Sequence, residues 1–552
     1  MADKSTVEIV APNLHIFSLC LFLSIGCPMV SADQIAAPTN EPAKPSGENL
    51  SGLRQQLAAH LAQPRFRAAM WGVKAVSLET GKTLFEHNAD KLLKPASNAK
   101  LYTGALALDR LGPDFRIKTS LYAAAPPDAT GAIKGDLIVY GRGDPSFAAR
   151  FNQGDHLKAL EPLAEALAAA GVKSVQGDLV GDESFFRGPP MGLGWTWDDL
   201  QHYYGAEVSA LTVEDNVLDL VLKPGAKVGE PVQIIVQPAT DFVRFVNRTS
   251  TAANGTPPSI ELYRPVGENL VFATGRVPLD SSNRTDAVAV HDPARLFVSL
   301  LREALARRGV KVSGNLRTVR WTGDADRIDS EPLVELGAVE SRPLSEILGK
   351  MMKPSQNLYA QLLLLQVGAA GTPENRRATT AAASSGSSRP DFSQASEQPP
   401  LGRSTTEELG LAEMKKFLRG IGLSESEVLL DEGSGLSRSC LLTPNATVTL
   451  LQFMARHTHA NHFRESLPVA GLDGSLRNRM KGTKAAGNVR AKTGRLRYVD
   501  TLSGYVSTAA GEPLVFSFML NNYFNPARSG RDEVDELAVL LAEFSGRMER
   551  SR

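Results

Sequence analysis

The sequence predicts an α+β fold in which an antiparallel sheet with flanking helices is split by one or two inserted, β-rich domains. Helix-like and strand-like segments occur together at both ends of the chain, and the C-terminal end closes with an amphipathic helix. Residues 113–332, in contrast, hold many short strand-like segments interrupted by two helices. A chain of 552 residues is also too long for one ordinary domain, so two or three are expected.

The split domain begins with a helix, a pair of strands and a second helix. Apolar residues recur at helical spacing over Ser51–Leu61, and strands are predicted at Trp71–Leu78 and Thr83–Glu86. The second helix is predicted from Ser97 to Leu111, because Pro95 suits a position at or just before the first helical residue.

The inserted region is predicted over residues 113–332, with a nested smaller domain at about 183–289. Its predicted strands include Ile133–Tyr140, Val217–Leu222 and Val232–Val236, and its predicted helices are Leu157–Ala170 and Pro293–Arg308.

The split domain resumes after this insertion, so that it comprises residues 49–112 and 333–552. Strands are predicted at Leu333–Val339, Asn488–Lys492, Thr501–Val506 and Pro513–Met519, and helices at Leu344–Met352, Gln356–Val367, Glu407–Arg419, from Thr443 onward, and at Arg531–Glu543. Residues 370–406 are of low complexity and cannot bury a core, which predicts a disordered surface insert.

The N-terminus resembles an export signal. Its apolar run Leu14–Ile25 is too short to span a bilayer, and small residues at Val30-Ser31-Ala32 suit signal peptidase. We therefore expect a signal peptide over 1–32, a linker over 33–48 and a periplasmic location. The weak positive charge before the run leaves the true start open, and Cys27 leaves lipidation as the alternative.

Composition argues against several other function classes. The chain balances 60 basic against 60 acidic residues, so no basic field suggests a nucleic-acid partner. It has three cysteines, without the spacing of a metal site. His457, His459 and His462 lie close together, but we favour a solvated helix end over a metal site. No metal, cofactor or dedicated protein partner is expected.

Ser97 and Lys100 form an SxxK pair at the start of the predicted second helix. Residues three apart share a helix face, so the amine can reach the hydroxyl. A serine needs an adjacent base to act as a nucleophile, and lysine can be that base if burial lowers its pKa. Taken alone, the pair is more often an N-cap serine with a surface lysine.

Lys492-Thr493-Gly494 is a KTG sequence in a strand-like stretch. On an edge strand, Lys492 and Thr493 could bind a substrate carboxylate, and Gly494 would allow close approach. The backbone N–H groups of Arg495 and Ser97 could together form an oxyanion hole. Taken alone, KTG is more often an ordinary basic turn.

Ser355-Gln356-Asn357 is an SxN sequence at a junction between two helical stretches. The same pattern occurs at Ser281 and Ser313, but those sites are a polar turn and an interrupted strand. The order SxxK, SxN, KTG is that of serine β-lactamases and penicillin-binding proteins. The joint occurrence outweighs the ordinary readings of the single motifs.

The chain resembles the class C low-molecular-mass penicillin-binding proteins, the D-alanyl-D-alanine carboxypeptidase/endopeptidase family S13. The resemblance runs from about Ser51 to Arg547 and includes five further stretches. These are Gly143-Asp144-Pro145-Ser146, Tyr203-Tyr204-Gly205-Ala206, Asp431-Glu432-Gly433-Ser434-Gly435-Leu436-Ser437-Arg438, Leu467-Pro468-Val469-Ala470-Gly471 and Leu502-Ser503-Gly504-Tyr505-Val506. Departures are the 370–406 insert, Glu432 and Arg495.

The resemblance implies a penicillin-binding, transpeptidase-like domain with a five-stranded antiparallel sheet. It implies Ser97 as the acylated nucleophile, Lys100 as its base, Ser355 as proton relay and Asn357 as the acyl-amide ligand. Lys492 would set the electrostatics and Thr493 would bind the terminal carboxylate. The implied ligands are peptidoglycan stem peptides and β-lactams, and the implied reaction is hydrolysis of a D-alanyl bond.

Two further residues resemble family positions that recognise the diamino acid of the stem peptide. These are Asp182 and Arg438, whose ordinary readings are a turn aspartate and a solvated arginine. Trp195 and Trp197 could cover a cleft, but core packing is favoured. A β-lactamase and a non-catalytic peptidoglycan-binding scaffold remain the alternatives; D-alanine release from a pentapeptide would exclude the scaffold.

Overall fold

The computed structural model describes residues 49–322, 333–370 and 404–548. The predicted signal peptide, the linker and most of the 370–406 insert lie outside these residues. Helices are α1 Leu50–Leu61, α2 Ala99–Leu111, α3 Glu161–Ala169, α4 Pro293–Arg307, α5 Leu344–Met352, α6 Asn357–Ala370, α7 Thr406–Gly420, α8 Pro444–Arg456, α9 Ala460–Ser466 and α10 Gly530–Glu543. The two described ends of the insert, Ala370 and Thr406, are therefore helical rather than disordered.

The strands follow the chain from the first sheet, through the inserted region, and back to the first sheet. They are β1 Met70–Ser77, β2 Thr83–His87, β3 Lys118–Ala123, β4 Ala132–Ile133, β5 Leu137–Tyr140, β6 Ser174–Val175, β7 Leu179–Asp182, β8 Val217–Lys223, β9 Gln233–Gln237, β10 Arg244–Ala252, β11 Ser259–Tyr263, β12 Leu270–Pro278, β13 Arg284–Ala289, β14 Lys311–Val312, β15 Leu316–Val319, β16 Val334–Glu340, β17 Val428–Leu429, β18 Leu441–Leu442, β19 Arg490–Leu496, β20 Val499–Ser507 and β21 Pro513–Asn521.

The first sheet has five antiparallel strands in the order β19-β20-β21-β1-β2, which confirms the predicted fold class. Successive side chains of the central strand β21 point to opposite faces of the sheet, and the side chains on both faces are buried. Phe516 and Phe518 pack in the core shared with α1 and α10. Val515 and Met519 pack in the core shared with α2, α6 and α8. The sheet therefore lies between two helical layers.

The inserted region forms several smaller sheets. The largest has the order β15-β7-β5-β3-β16, and α4 packs on it through Phe297 and Leu301. Two three-stranded sheets, β13-β8-β9 and β10-β12-β11, occupy residues 217–289. Strand β16, which the sequence prediction placed in the split domain after residue 333, pairs antiparallel with β3 of the inserted sheet. Its partner is distant in sequence, and no local pattern identifies it.

Two inserted elements differ from their predicted bounds. The stretch Ile133–Tyr140 forms two short strands, β4 and β5, that are separated by a Lys-Gly-Asp turn. Helix α3 begins at Glu161 instead of Leu157, because Pro162 is tolerated in the first turn of a helix but not in its interior. None of the helices within the described ranges is long and apolar enough to cross a membrane.

A buried carboxylate on α10 connects the two ends of the split domain. Glu533 is fully buried and accepts hydrogen bonds from Arg65 at 2.7 and 2.8 Å and from the Tyr523 hydroxyl at 3.0 Å. It also lies 3.2 Å from Arg528 and 3.4 Å from His60 of α1. These contacts hold α1 and α10 on the same face of the sheet.

We predict that Glu533→Gln lowers the free energy of unfolding by about 2 kcal/mol, since it removes the charge that neutralises two guanidinium groups. Urea unfolding measures this change. The matched control is Glu543→Gln in the last turn of the same helix, whose side chain is exposed, and it should change stability by less than about 0.5 kcal/mol. Equal effects of the two substitutions on stability would contradict the stabilising role of the buried Glu533 charge.

Candidate active site

Ser97 lies in a 3₁₀ turn, Ala96–Asn98, that leads directly into α2. The predicted helix start at Ser97 is therefore a tighter turn, and Ser97 is partly exposed while its neighbours are buried. Lys100 Nζ lies 2.8 Å from Ser97 Oγ, within hydrogen-bond distance. The SxxK spacing therefore does place the amine against the hydroxyl.

Lys100 is fully buried and is surrounded by uncharged acceptors. Its amine donates to Asn357 Oδ1 at 2.5 Å and to the Ser434 carbonyl at 2.7 Å. Burial lowers the pKa of Lys100 to about 7, an effect that the Glu432 carboxylate opposes. A substantial fraction of Lys100 is therefore neutral near pH 7 and can accept the Ser97 proton.

Glu432 holds the loop that carries the Ser434 carbonyl. This carboxylate is fully buried and accepts the backbone N–H groups of Ser434 at 2.7 Å and Gly435 at 2.5 Å. Glu432 contacts Ser434 and not Lys100 itself, and its negative charge keeps the pKa of the Lys100 amine from falling further. The sequence analysis noted Glu432 only as a departure from a family pattern. Its position directly before Gly-Ser-Gly is the feature from which this role could have been inferred.

Ser355 and Lys492 form a second hydrogen-bonded pair. Ser355 lies at the junction of α5 and α6 with φ of 67°, the left-handed region that a non-glycine residue rarely adopts. Lys492 Nζ donates to Ser355 Oγ at 2.7 Å and to the Thr493 carbonyl at 2.7 Å. Burial lowers the pKa of Lys492 well below its ordinary value, and the cationic groups of Lys100 and Arg479 lower it further.

Asn357 forms hydrogen bonds with both the inserted region and Lys100. Its Nδ2 donates to the Tyr204 carbonyl at 2.8 Å, while its Oδ1 accepts from Lys100. The Tyr204 carbonyl therefore fixes the orientation of the amide that contacts the base. Sequence reasoning quoted Tyr204 within a family stretch but did not assign it this role.

The KTG strand approaches the backbone of Ser97. A Cβ at Gly494 would lie 2.6 Å from the Pro95 carbonyl oxygen and 3.0 Å from Ser97 N, so only glycine permits this approach. Thr493 Oγ1 and Ser475 Oγ are 2.7 Å apart and form a hydroxyl pair that sequence reasoning did not foresee. The side chain of Arg495 is exposed.

Asp182 and Arg438 have other partners. Asp182 ends β7, is buried, and accepts from Ser184 N at 2.9 Å; burial raises its pKa. Arg438 is not a lone solvated arginine, because it donates to Asp199 at 2.8 and 3.3 Å. Within the described ranges, neither residue has a hydrogen bond or ion pair with Ser97, Lys100 or the KTG strand.

The structure agrees with the core-packing prediction for Trp195 but not for Trp197, and it gives His457 a carboxylate partner. Trp195 is partly buried against the core, whereas Trp197 is 71% exposed, so core packing is wrong for Trp197. His457 Nε2 lies 3.2 Å from Asp109 Oδ1, a carboxylate partner that the sequence spacing did not reveal. The His457, His459 and His462 rings lie near one another.

Comparison with known proteins decides the family. Residues 53–389 and 398–544 match the D-Ala-D-Ala carboxypeptidase 3 (S13) family. The chain belongs to this family. It is 35% identical over 513 residues to a D-alanyl-D-alanine carboxypeptidase of Actinomadura sp. strain R39, covering 91% of this chain and 86% of that protein.

Two further comparisons support the assignment of this S13 peptidase. A D-alanyl-D-alanine carboxypeptidase of Haemophilus influenzae is 26% identical over 455 residues, covering 82% of this chain and 85% of that one. The crystal structure of penicillin-binding protein 4 from the same organism has a TM-score of 0.68 at 25% identity, covering 89% of this chain and 97% of that one. The chain is thus a serine peptidase of the D-alanyl-D-alanine carboxypeptidase/endopeptidase type.

We predict that Glu432→Gln moves the acidic limb of the pH profile for penicillin acylation to lower pH. If Lys100 is the base for Ser97, only its neutral form is active, so activity should fall as pH drops through the pKa of Lys100. Loss of the nearby negative charge should lower that pKa. Stopped-flow acylation rates against pH measure the limb. Glu432→Asp keeps the charge and should keep the limb; a Gln variant with an unchanged limb would refute the electrostatic role.

Proposed function

We propose that this S13 peptidase hydrolyses D-alanyl bonds of peptidoglycan stem peptides through an acyl-enzyme on Ser97. One observation carries the proposal: a fully buried amine, that of Lys100, lies 2.8 Å from a partly exposed serine hydroxyl. The low pKa of that amine meets the requirement for a general base at neutral pH.

The first step is acylation. Neutral Lys100 accepts the proton of Ser97 while Oγ attacks the carbonyl carbon of the penultimate D-alanine. The developing oxyanion binds to the backbone N–H groups of Ser97 and Arg495, which Gly494 allows to come close. Ser355 carries a proton to the leaving amine, with Lys492 Nζ at 2.7 Å as its hydrogen-bond donor.

The substrate is held on both sides of the scissile bond. The Thr493 and Ser475 hydroxyls bind the terminal carboxylate, and Asn357 binds the acyl amide. Water then attacks the ester carbon, the oxygen of Ser97 leaves as its hydroxyl, and the shortened peptide is released. Membership of a carboxypeptidase family favours this reaction over β-lactam hydrolysis and over a non-catalytic scaffold.

The same acylation makes β-lactams covalent inhibitors, since their amide carbonyl meets the same nucleophile and oxyanion donors. We further propose that the enzyme acts in the periplasm. The apolar run Leu14–Ile25 followed by small residues supports export.

We predict that labelled penicillin stays on Ser97, and that Ser97→Ala lowers both labelling and D-alanine release from a pentapeptide by at least about 10³-fold. Denaturing electrophoresis and peptide mass spectrometry measure the label. The control is Ser426→Ala, which alters an exposed hydroxyl hydrogen-bonded to Ser424 and should leave both activities unchanged. Continued labelling of the Ser97→Ala protein would refute the nucleophile.

Recognition of the diamino acid is proposed for Arg438 and Asp182. Two contacts with Asp199 orient the Arg438 guanidinium but leave other N–H donors available, and its side chain is 38% exposed. Arg438 would bind the carboxylate of that residue, and Asp182 its amine.

We predict that Arg438→Ala lowers kcat/KM about tenfold for stem peptides with a free diamino acid carboxylate, because a charged hydrogen bond is lost. Peptides amidated at that carboxylate serve as the control and should lose little. Equal losses for the two peptides would remove Arg438 from substrate recognition. Asp182→Asn should discriminate in the same way between peptides with free and acetylated amines.

A further inference from the structure

Two exposed aromatic side chains lie just beyond the end of the KTG strand. Strand β19 carries Lys492-Thr493-Gly494 and ends at Leu496, and the next two residues, Arg497 and Tyr498, form the turn into β20. Tyr498 is 48% exposed, and Phe524, which follows β21, is 75% exposed. Large apolar groups that are exposed next to an active site are candidates for substrate contact.

The turn and the loop after β21 form one surface. The Tyr498 and Phe524 rings meet edge to face with their centroids 6.1 Å apart. The N–H of Tyr523 donates to the Tyr498 carbonyl at 3.2 Å, which fixes the loop against the turn. The guanidinium carbon of Arg497 lies 5.3 Å from the centre of the Tyr498 ring. An aromatic pair and a cation are therefore presented side by side.

Arg497 has a charge that no acidic group neutralises. Its side chain is exposed, and among residues 49–322, 333–370 and 404–548 it forms neither a salt bridge nor a side-chain hydrogen bond. The contact with the Tyr498 ring leaves its N–H donors available. A guanidinium with available donors can bind a carboxylate through two parallel hydrogen bonds. The surface is therefore suited to a ligand that carries a carboxylate next to an apolar group.

The outer edge of β19 leads from the nucleophile to this surface. β19 is an edge strand, and in the described part of the chain only its first residues pair with another segment on that side, as in the hydrogen bond from Ala491 N–H to the Pro468 carbonyl at 3.0 Å. Backbone groups alternate in direction along a strand, so the N–H and C=O of Arg495 point the same way as those of Ala491. An extended peptide can pair with this edge.

The proposed reaction sets the direction of the substrate along the edge. The terminal carboxylate lies at Thr493 and the scissile carbonyl at the N–H of Arg495, so the earlier stem residues continue antiparallel to β19. Each residue of an extended chain advances about 3.3 Å. With the penultimate D-alanine beside Arg495, the diamino acid lies beside Leu496 and the γ-linked glutamate before it lies beside Arg497. The α-carboxylate of that glutamate is outside the peptide chain and is free to bind.

Building on the proposed function, we infer that Arg497, Tyr498 and Phe524 bind the part of the stem peptide nearest the glycan. Arg497 binds the α-carboxylate of the γ-linked glutamate. The Tyr498–Phe524 pair packs on the alanine that precedes the glutamate and on the apolar face of the muramyl sugar. The enzyme therefore prefers stems that are attached to glycan and whose glutamate is not amidated, because this site adds binding energy remote from the scissile bond.

Amidation of the glutamate tests the role of Arg497. We expect Arg497→Gln to lower kcat/KM about tenfold for D-alanine release from a pentapeptide with a free α-carboxylate, because a charged hydrogen bond is lost. An otherwise identical peptide with that carboxylate amidated should lose less than about twofold. The control is Arg456→Gln, which alters an exposed arginine in the last turn of α8 and should change neither value. Equal losses on the two peptides, or no loss on either, would overturn the role of Arg497.

Truncation of the exposed ring tests the aromatic part. Phe524→Ala should lower kcat/KM for a disaccharide-linked pentapeptide at least about fivefold relative to kcat/KM for the free pentapeptide, since only the linked peptide brings a sugar to the rings. The matched control is Tyr263→Ala, which removes a 51% exposed ring from β11 of the inserted region and should keep the wild-type ratio. An unchanged ratio in Phe524→Ala would overturn the contact with the sugar.

Binding to a Ser97→Ala protein separates this inference from the proposed reaction. Calorimetry should show tighter binding of the disaccharide-linked pentapeptide than of the free pentapeptide, and Phe524→Ala in the same protein should remove the difference. Should the wild-type protein release D-alanine from neither substrate, the proposed reaction fails, and the binding comparison still decides whether the surface holds the glycan-proximal stem. Equal binding of the two ligands to the Ser97→Ala protein would show that it does not.

Discussion

The burial of one amine is the constraint on which the site depends. Removing a lysine from water strongly disfavours its charged form. For the amine to be both buried and largely neutral, its neighbours must provide hydrogen-bond partners but no carboxylate in direct contact. Lys100 meets three neutral oxygens, from Ser97, Asn357 and Ser434, while the carboxylate of Glu432 acts from behind the Ser434 loop. A carboxylate in direct contact would hold the amine protonated and leave Ser97 without a base.

Packing of the split domain produces that environment from distant parts of the chain. Helix α2 is buried from Ala99 to Leu108 between the sheet and α6, which fixes the depth of Lys100. The first residue of α6 is Asn357, and the loop before β18 supplies Ser434 and Glu432. The inserted region also takes part, because the Tyr204 carbonyl holds the Asn357 amide. The inserted region therefore contributes to the hydrogen-bond network around Lys100.

Much of this could be predicted from the sequence. Periodicity identified α4 and α5, and motif order identified five residues that the structure places in two hydrogen-bonded groups. The rest depends on tertiary contacts that leave no local pattern. Ser475 lies eighteen residues before its partner Thr493. Arg438 forms its ion pair with Asp199, a residue of the inserted region that is distant in sequence. The pairing of β16 with β3 likewise joins strands that are distant in sequence.

The two buried lysines make the site responsive to its substrate. The positive charge of Lys100 disfavours the charged form of Lys492 and so adds to the lowering of the Lys492 pKa by burial. In the proposed reaction, a substrate carboxylate at Thr493 and Ser475 would add negative charge beside Lys492 and favour its ammonium form. A charged Lys492 would in turn favour the neutral amine on Lys100, the form that the proposed mechanism requires of the base. Binding of the correct terminus would thereby prepare the base, and a peptide without that carboxylate would meet a less reactive serine.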